Sequence, residues 1–291
     1  MAEKYILTNG IIEITVNSKG AELASLKDCQ SGREYMWQAD PAFWGRTSPV
    51  LFPVVGAFKD GEFRTKGQTY RMGQHGFARD MEFMLTRQEE HEIWFCLTDK
   101  DDTWEKYPYA FGLEIGYKLE ERSVKVLWKV SNPAEETLYF SIGGHPAFGA
   151  PVRKADEITC YVQFKGKERV VSRQLVGGLA SNILHTWELD AEGALAVTEQ
   201  VFEDDALVVE DSGCQEVALL DANRKPYLTV VFDTPLFGIW SPPGKNAPFI
   251  CIEPWYGRCD HECFTGNLEE RIYGNKLQAH GTFEAAYTIT V

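Results

Sequence analysis

Long apolar runs are missing from this chain of 291 residues, and their absence removes the first candidate role. No stretch approaches the roughly 18 apolar residues that a membrane-spanning helix requires. The opening Met1-Ala2-Glu3-Lys4-Tyr5-Ile6-Leu7 places no basic region before an apolar one, so no secretory leader is expected there. Positive charge is scarce too: 29 lysines and arginines stand against 43 aspartates and glutamates, a formal net charge of -14. That sign excludes broad attraction to nucleic acid or anionic membrane, both of which call for a basic face. Cysteines number seven, at positions 29, 96, 160, 214, 251, 259 and 263. Odd in number and scattered, they form no disulfide framework and fit a reduced cytoplasm. No glycine-rich phosphate loop leads into a helix, and no serine stands in a nucleophile elbow. A small neutral or locally recognised ligand remains.

What is present is strand and turn. A hydrophobic content of 44% is enough for a packed core. Short alternating runs follow one another: Tyr5 to Leu7, Ile11 to Val16, Ala21 to Leu26 and Glu34 to Trp37, parted by turns such as Thr8-Asn9-Gly10 and Asn17-Ser18-Lys19-Gly20. Ile12, Ile14 and Val16 alternate with Ile11, Glu13 and Thr15, the mark of a strand with one buried face. Further strands are expected over Met81 to Leu85, Ile93 to Thr98, Phe111 to Leu119, Ser123 to Ser131, Leu228 to Phe232, Phe237 to Trp240 and Thr282 to Val291. Asn267 to Gly274 reads as one short helical turn. No linker or repeat interrupts the chain, so one all-β domain over residues 1–291, a large antiparallel β-sandwich, is the economical expectation.

Candidate chemistry begins at Tyr139-Phe140-Ser141-Ile142-Gly143-Gly144-His145-Pro146-Ala147-Phe148-Gly149. Glycines before the histidine and proline after it argue for irregular backbone that presents the ring at a strand end. Phe140 and Phe148 are expected to give it a partly dry setting, in which its proton affinity is tuned. A buried structural histidine is the alternative. Arg46 is the only charge between Asp40 and Lys59, so its guanidinium must meet either a carboxylate or a ligand. His75, between Gln74 and Gly76, reads as a second presented ring. Arg79 can pair with Asp80 or Glu82, or face a phosphorylated ligand.

Glu203, Asp204 and Asp205 precede an apolar strand, as turn residues or as acceptors for a polyol. Phe249-Ile250-Cys251-Ile252-Glu253-Pro254-Trp255-Tyr256-Gly257-Arg258 sets a carboxylate among apolar neighbours. Desolvation should raise its pKa toward the range of a general base, and an ion pair to Arg258 would oppose that. Cys259-Asp260-His261-Glu262-Cys263 fits no common zinc spacing, and no metal is expected. Only the acids near Asp204 and Asp205 could partner Glu253 as a glycosidase requires. One imidazole, one carboxylate and several aromatic rings suit proton transfer on a sugar better.

Gly45-Arg46, Gln74-His75-Gly76-Phe77-Ala78-Arg79, Gly144-His145-Pro146-Ala147-Phe148, Asp204-Asp205-Ala206-Leu207 and Ile252-Glu253-Pro254-Trp255 are informative as a set. In this order and spacing they resemble the aldose 1-epimerase, or galactose mutarotase-like, family, from roughly Ile11 to the C-terminus. The Gly-His-Pro and Glu-Pro-Trp neighbours resemble its bacterial mutarotase-like branch. The resemblance implies a cofactor-free interconversion of α and β anomers in the cytoplasm by a monomer or homodimer. Glu253 would take the C1 hydroxyl proton while His145 protonates the ring oxygen, with the sugar ring between them. Arg46 and His75 would hold sugar oxygens, and Asp205, or less readily Asp204, would accept from a hydroxyl. Two alternatives remain: a hexose 6-phosphate substrate, neutralised by Arg79 or Lys59, and a sugar-binding β-sandwich without catalysis.

Overall fold

A computed structural model describes residues 3–154 and 157–291, so Met1 and Ala2 of the N-terminal reading lie outside the described residues. Two large antiparallel sheets dominate. The first has nine strands in the order Ala194–Ala196, Cys160–Phe164, Glu216–Asp221, Pro226–Phe232, Thr282–Thr290, Ser123–Ser131, Gly112–Glu120, Glu92–Thr98 and Met84–Gln88. The second runs Leu179–Glu188, Arg169–Val176, Leu207–Glu210, Leu236–Trp240, Phe249–Tyr256, Ile142–Gly144 and Val50–Leu51, with Ala147–Gly149 also on Phe249–Tyr256. A three-stranded sheet of Lys4–Thr8, Ile12–Asn17 and Glu22–Asp28, the hairpin Glu62–Thr65/Gln68–Arg71 and a pairing of Leu138–Phe140 with the distant Asn275–Leu277 are the remaining sheets. Among the described residues no helix is long and apolar enough to cross a membrane.

The alternation read from sequence decides which face each strand buries. Ile12, Ile14 and Val16 are fully buried and their neighbours are not. Val124, Val126, Trp128 and Val130 turn from the nine-stranded sheet toward Ile250, Ile252, Phe237 and Ile239 of the second, all in one apolar core. Residues one step along those second-sheet strands face the opposite side. There Cys251, Phe249, Ala147 and Trp37 make one small apolar cluster, and Trp255, Leu236, Val208, Leu51 and Val55 make another. Between these two patches stand His145 and Glu253.

Three expectations are corrected by the structure. Glu34 to Trp37 forms isolated bridges at Glu34 and Met36, not a strand. The strand expected from Met81 starts at Met84, because the Met81 carbonyl is taken by Gly20 N–H at 2.7 Å and Phe83 N–H goes to Ser18. The backbone before His145 is regular, since Gly143 and Gly144 lie in a strand and neither has a positive φ. Glycine is needed at 143 for room. A Cβ there would stand 2.6 Å from the Trp255 ring, and one on Gly238 would stand 2.5 Å from the far end of the same indole. Trp255 therefore lies flat across three strands in a slot that two glycines create.

Filling that slot should be costly. Gly143→Ala is expected to lose about 1–3 kcal/mol by overpacking, measured as a lower urea midpoint, whereas Gly73→Ala, with open space around it and no positive φ, tests the cost of losing a glycine alone.

Candidate active site

The two expected chemical groups are brought together by strand register. Gly143 pairs with Trp255 and Ala147 with Cys251, in one continuous register that places His145 directly opposite Glu253. Side chains at such positions start about 5 Å apart at Cβ. Here the imidazole Nε2 lies 3.3 Å from Glu253 Oε2. Pro146 and Pro254 interrupt the ladder, since neither has an N–H to give. The groups are thus adjacent, not on opposite edges of a hollow with a ring between them, and this corrects the expected arrangement.

Both are nearly dry, His145 at 7% and Glu253 at 1% exposure. Burial depresses the His145 pKa to about 3, with the Arg79 and Arg46 charges acting in the same direction. Burial also raises the Glu253 pKa well above the carboxylate range, helped by the nearby Asp205. The expected opposing ion pair is absent: Arg258 Nε meets Glu210 at 2.7 Å, a carboxylate it shares with Arg173. Charge is therefore disfavoured on each partner, and the pair rests as a neutral acid beside a neutral base. The dry walls are not Phe140 and Phe148, which belong to the main core. They are Trp44, stacked on His145 at 4.7 Å between centroids, and Trp240, edge-on at 5.4 Å.

The pair opens onto a cavity of about 620 Å³ lined also by Gln74, His75, Arg79, Asp204, Asp205 and Arg258. That size is ordinary for a small-molecule pocket. His75 is clamped by Gly56: its own N–H donates to Gly56 O at 2.8 Å, and Gly56 N–H donates to its Nδ1 at 3.1 Å. An Nδ1 that accepts leaves the proton on Nε2. Burial, then repulsion from His145 whenever that ring is protonated and from the Arg79 and Arg46 charges, put the His75 pKa well below the usual value. His75 and Asp205 both hold φ near +70°, at +67° and +74°, a backbone strain of the kind that gathers at functional sites. Asp205 accepts the Trp240 indole N–H at 2.8 Å, whereas Asp204 is more exposed and lies 3.8 Å from His185.

Arg46 is placed differently from the expected sugar contact. Its guanidinium pairs with Asp80 at 3.0 Å and it does not line this cavity. Arg79 does line it, held by the Gln74 carbonyl at 2.6 Å. Burial and the neighbouring Arg46 lower the Arg79 pKa to about 10, still a full cation at neutral pH. The two tryptophans went unread in the sequence, although Trp44 sits in the apolar proline-rich loop and Trp240 just before Ser241-Pro242-Pro243. In the Cys259 to Cys263 segment, His261 contacts Asn182 and the Cys263 N–H, with Cys259 buried and Cys263 exposed. The donor set with metal-ligand spacing is instead His145, Cys251 and Glu253.

The family model described as aldose 1-epimerase matches residues 3–271. The chain belongs to the aldose 1-epimerase family. It is 33% identical to a galactose mutarotase related enzyme from Lactobacillus acidophilus, covering 99% of this chain and 97% of that one with a TM-score of 0.93. A galactose mutarotase-like protein from Lactobacillus casei is 26% identical, with 99% of each chain covered and a TM-score of 0.90. Among curated relatives, the chromosomal LacX protein of Lactococcus lactis subsp. lactis is 29% identical over 98% of each chain. The epimerase-family fold is accordingly the galactose mutarotase-like β-sandwich.

The depressed histidines set a pH dependence. A folded pKa below the unfolded value means a stabilising contribution that is complete above the unfolded pKa, about 6.5, and is lost as pH falls through the folded one. Glu253 runs the other way, its contribution lost as pH rises through its raised pKa. Each histidine adds up to about 1.4 kcal/mol of lost stability per pH unit on the acid side. Urea unfolding between about pH 7 and about pH 4 should therefore show a shallower fall for His75→Gln/His145→Asn than for the wild type. Equal slopes would show that the rings are not buried as neutral groups.

Proposed function

We propose that this chain is an aldose 1-epimerase that interconverts the α and β anomers of a sugar, in the cytoplasm, by proton transfer alone. One observation supports the reading above the others: an imidazole and a carboxyl side by side, 3.3 Å apart, at the base of a sugar-sized cavity. A cyclic aldose carries its ring oxygen and its anomeric hydroxyl on the same carbon. An acid and a base that are neighbours therefore reach both oxygens at once, and the sugar lies over the pair.

In the proposed cycle the Glu253 proton first passes to His145 Nε2 across their 3.3 Å contact; Glu253 then takes the proton of the C1 hydroxyl while His145 gives one to the ring oxygen. The C1–ring-oxygen bond breaks, C1 becomes the aldehyde carbon, and the pair is left neutral. Rotation about C1–C2 turns the other face of the carbonyl toward the ring hydroxyl. Glu253 then returns a proton to the carbonyl oxygen as His145 removes one from the hydroxyl. The pair alternates between ion pair and neutral form with no net charge change, which a dry site tolerates. The His75 Nε2–H donates to a sugar oxygen, Asp205 accepts from a hydroxyl, and Trp240 faces the apolar side of the ring.

Anomeric proton NMR on a panel of freshly dissolved α-aldoses tests the reading. Glu253→Gln and His145→Asn should each lower kcat by about 100- to 10,000-fold, with folding checked by circular dichroism. Wild-type rates equal to those variants across the panel would remove the assignment, and sugar binding without acceleration would make the chain a binding protein.

A second reading of the substrate, an aldose 6-phosphate, is favoured by Arg79, a cation of the cavity whose Nε makes no hydrogen bond and has Asp80 3.8 Å away. Under it Arg79→Gln should raise KM for the phosphorylated sugar by about tenfold or more and leave KM for the neutral one nearly unchanged, since a charge-assisted contact is worth about 1.5–3 kcal/mol. Equal effects on both sugars would exclude a phosphate contact at this residue.

A further inference from the structure

The register that sets His145 opposite Glu253 also places Cys251 two residues from Glu253 on the same sheet face, opposite Ala147. Its thiol sits at 0% exposure beneath the pair, and no step of sugar chemistry uses it. The imidazole nitrogen, the sulfur and a carboxylate oxygen all lie within 4.8 Å of one another. Nitrogen and oxygen ligands about 2.0–2.1 Å from a tetrahedral zinc ion stand about 3.3 Å apart. His145 Nε2 and Glu253 Oε2 already have that separation. The sulfur, which binds at about 2.3 Å, lies within 4.8 Å of both and closes on the ion as the side chains adjust to it. Glu253 Oε2 is buried, with the His145 nitrogen at 3.3 Å as its close neighbour and no well-formed hydrogen bond.

We propose that His145, Cys251 and Glu253 form a site for one borderline-soft divalent cation such as Zn²⁺ or Cd²⁺, and that the cation and the sugar exclude one another. Charge argues for it. A thiolate, a carboxylate and a neutral imidazole around a divalent ion sum to zero, so the complex can stay in a dry place where separate charges cannot. Donor type argues for the class: sulfur with imidazole selects zinc-like ions over magnesium or calcium. Three protein ligands with a fourth position toward the cavity leave room for one water on the ion. The lone pairs that hold the metal are those the proposed epimerase cycle uses for protons, so a bound ion silences the pair. Cation binding itself does not depend on that cycle.

The test is titration of Cd²⁺ alone into reduced protein in a Cys29→Ala/Cys263→Ala background, which removes the two exposed thiols. The cadmium–thiolate charge-transfer absorption is followed in the ultraviolet. The first equivalent should produce the band. Adding Cys251→Ala should abolish it or weaken binding by at least about tenfold, as should Glu253→Gln, in the range by which metal-site changes act. The near-isosteric Cys251→Ser repeats the measurement, with thermal melts showing that each variant is folded. The same band at the same affinity without Cys251, or no band in the background protein, overturns the proposal. Because the absorption reports the thiolate whether or not a sugar is turned over, failure here leaves the epimerase reading standing, and the reverse also holds.

Discussion

The interaction on which the rest depends is the hydrogen-bond register along Phe249–Tyr256. This strand lies between Leu236–Trp240 on one side and two short strands, Ile142–Gly144 and Ala147–Gly149, on the other. Because side chains alternate with a period of two, one fixed register sends Ile250 and Ile252 into the core and Cys251, Glu253 and Trp255 to the opposite face. A slip by one residue would bury the carboxylate in the main core and turn isoleucines into the cavity. The apolar cost of that exchange holds the chemistry in place, since burying a large aliphatic side chain is worth about 1.5–3 kcal/mol and several move together.

Dryness is the second condition. Trp44, Trp240 and the clusters around Phe249 and Trp255 exclude water from the pair, and in a poor dielectric an isolated charge is expensive. Two groups that are each driven neutral can still exchange a single proton, because moving it between neighbours changes no net charge. His75 is handled differently. Its Nδ1 is already occupied by Gly56 N–H, so it is fixed as a donor and takes no part in proton traffic. Three titratable rings and acids in one cavity thus acquire distinct duties from distinct backbone partners.

Much of this was legible in the sequence, and what was not has physical causes. Alternation at Ile12, Ile14 and Val16 and the β-forming residues of Ser123 to Ser131 gave the strands, since one-sided burial and strand propensity are local properties. Glu253 could be singled out because Ile252 and Trp255 announce desolvation in the sequence itself. Its distance from His145 could not, being set by a ladder between segments more than a hundred residues apart. Gly143 was misread for a related reason. A glycine can serve a turn or a close approach, and only the Trp255 ring, remote in the chain, decides between them. Arg46 shows the same limit: a lone cation among apolar residues must find an oxygen, and the local sequence does not reveal that Asp80 supplies it.

The slot beneath Trp255 also constrains how such a chain can vary over generations. Gly143 and Gly238 are bare because the indole covers them, and the indole lies flat because they are bare. Either glycine acquires a side chain only at a cost in stability while the tryptophan remains, yet once it is exchanged for something smaller both positions are open. The order in which replacements arrive therefore decides whether they survive, and this patch behaves as a ratchet in descent.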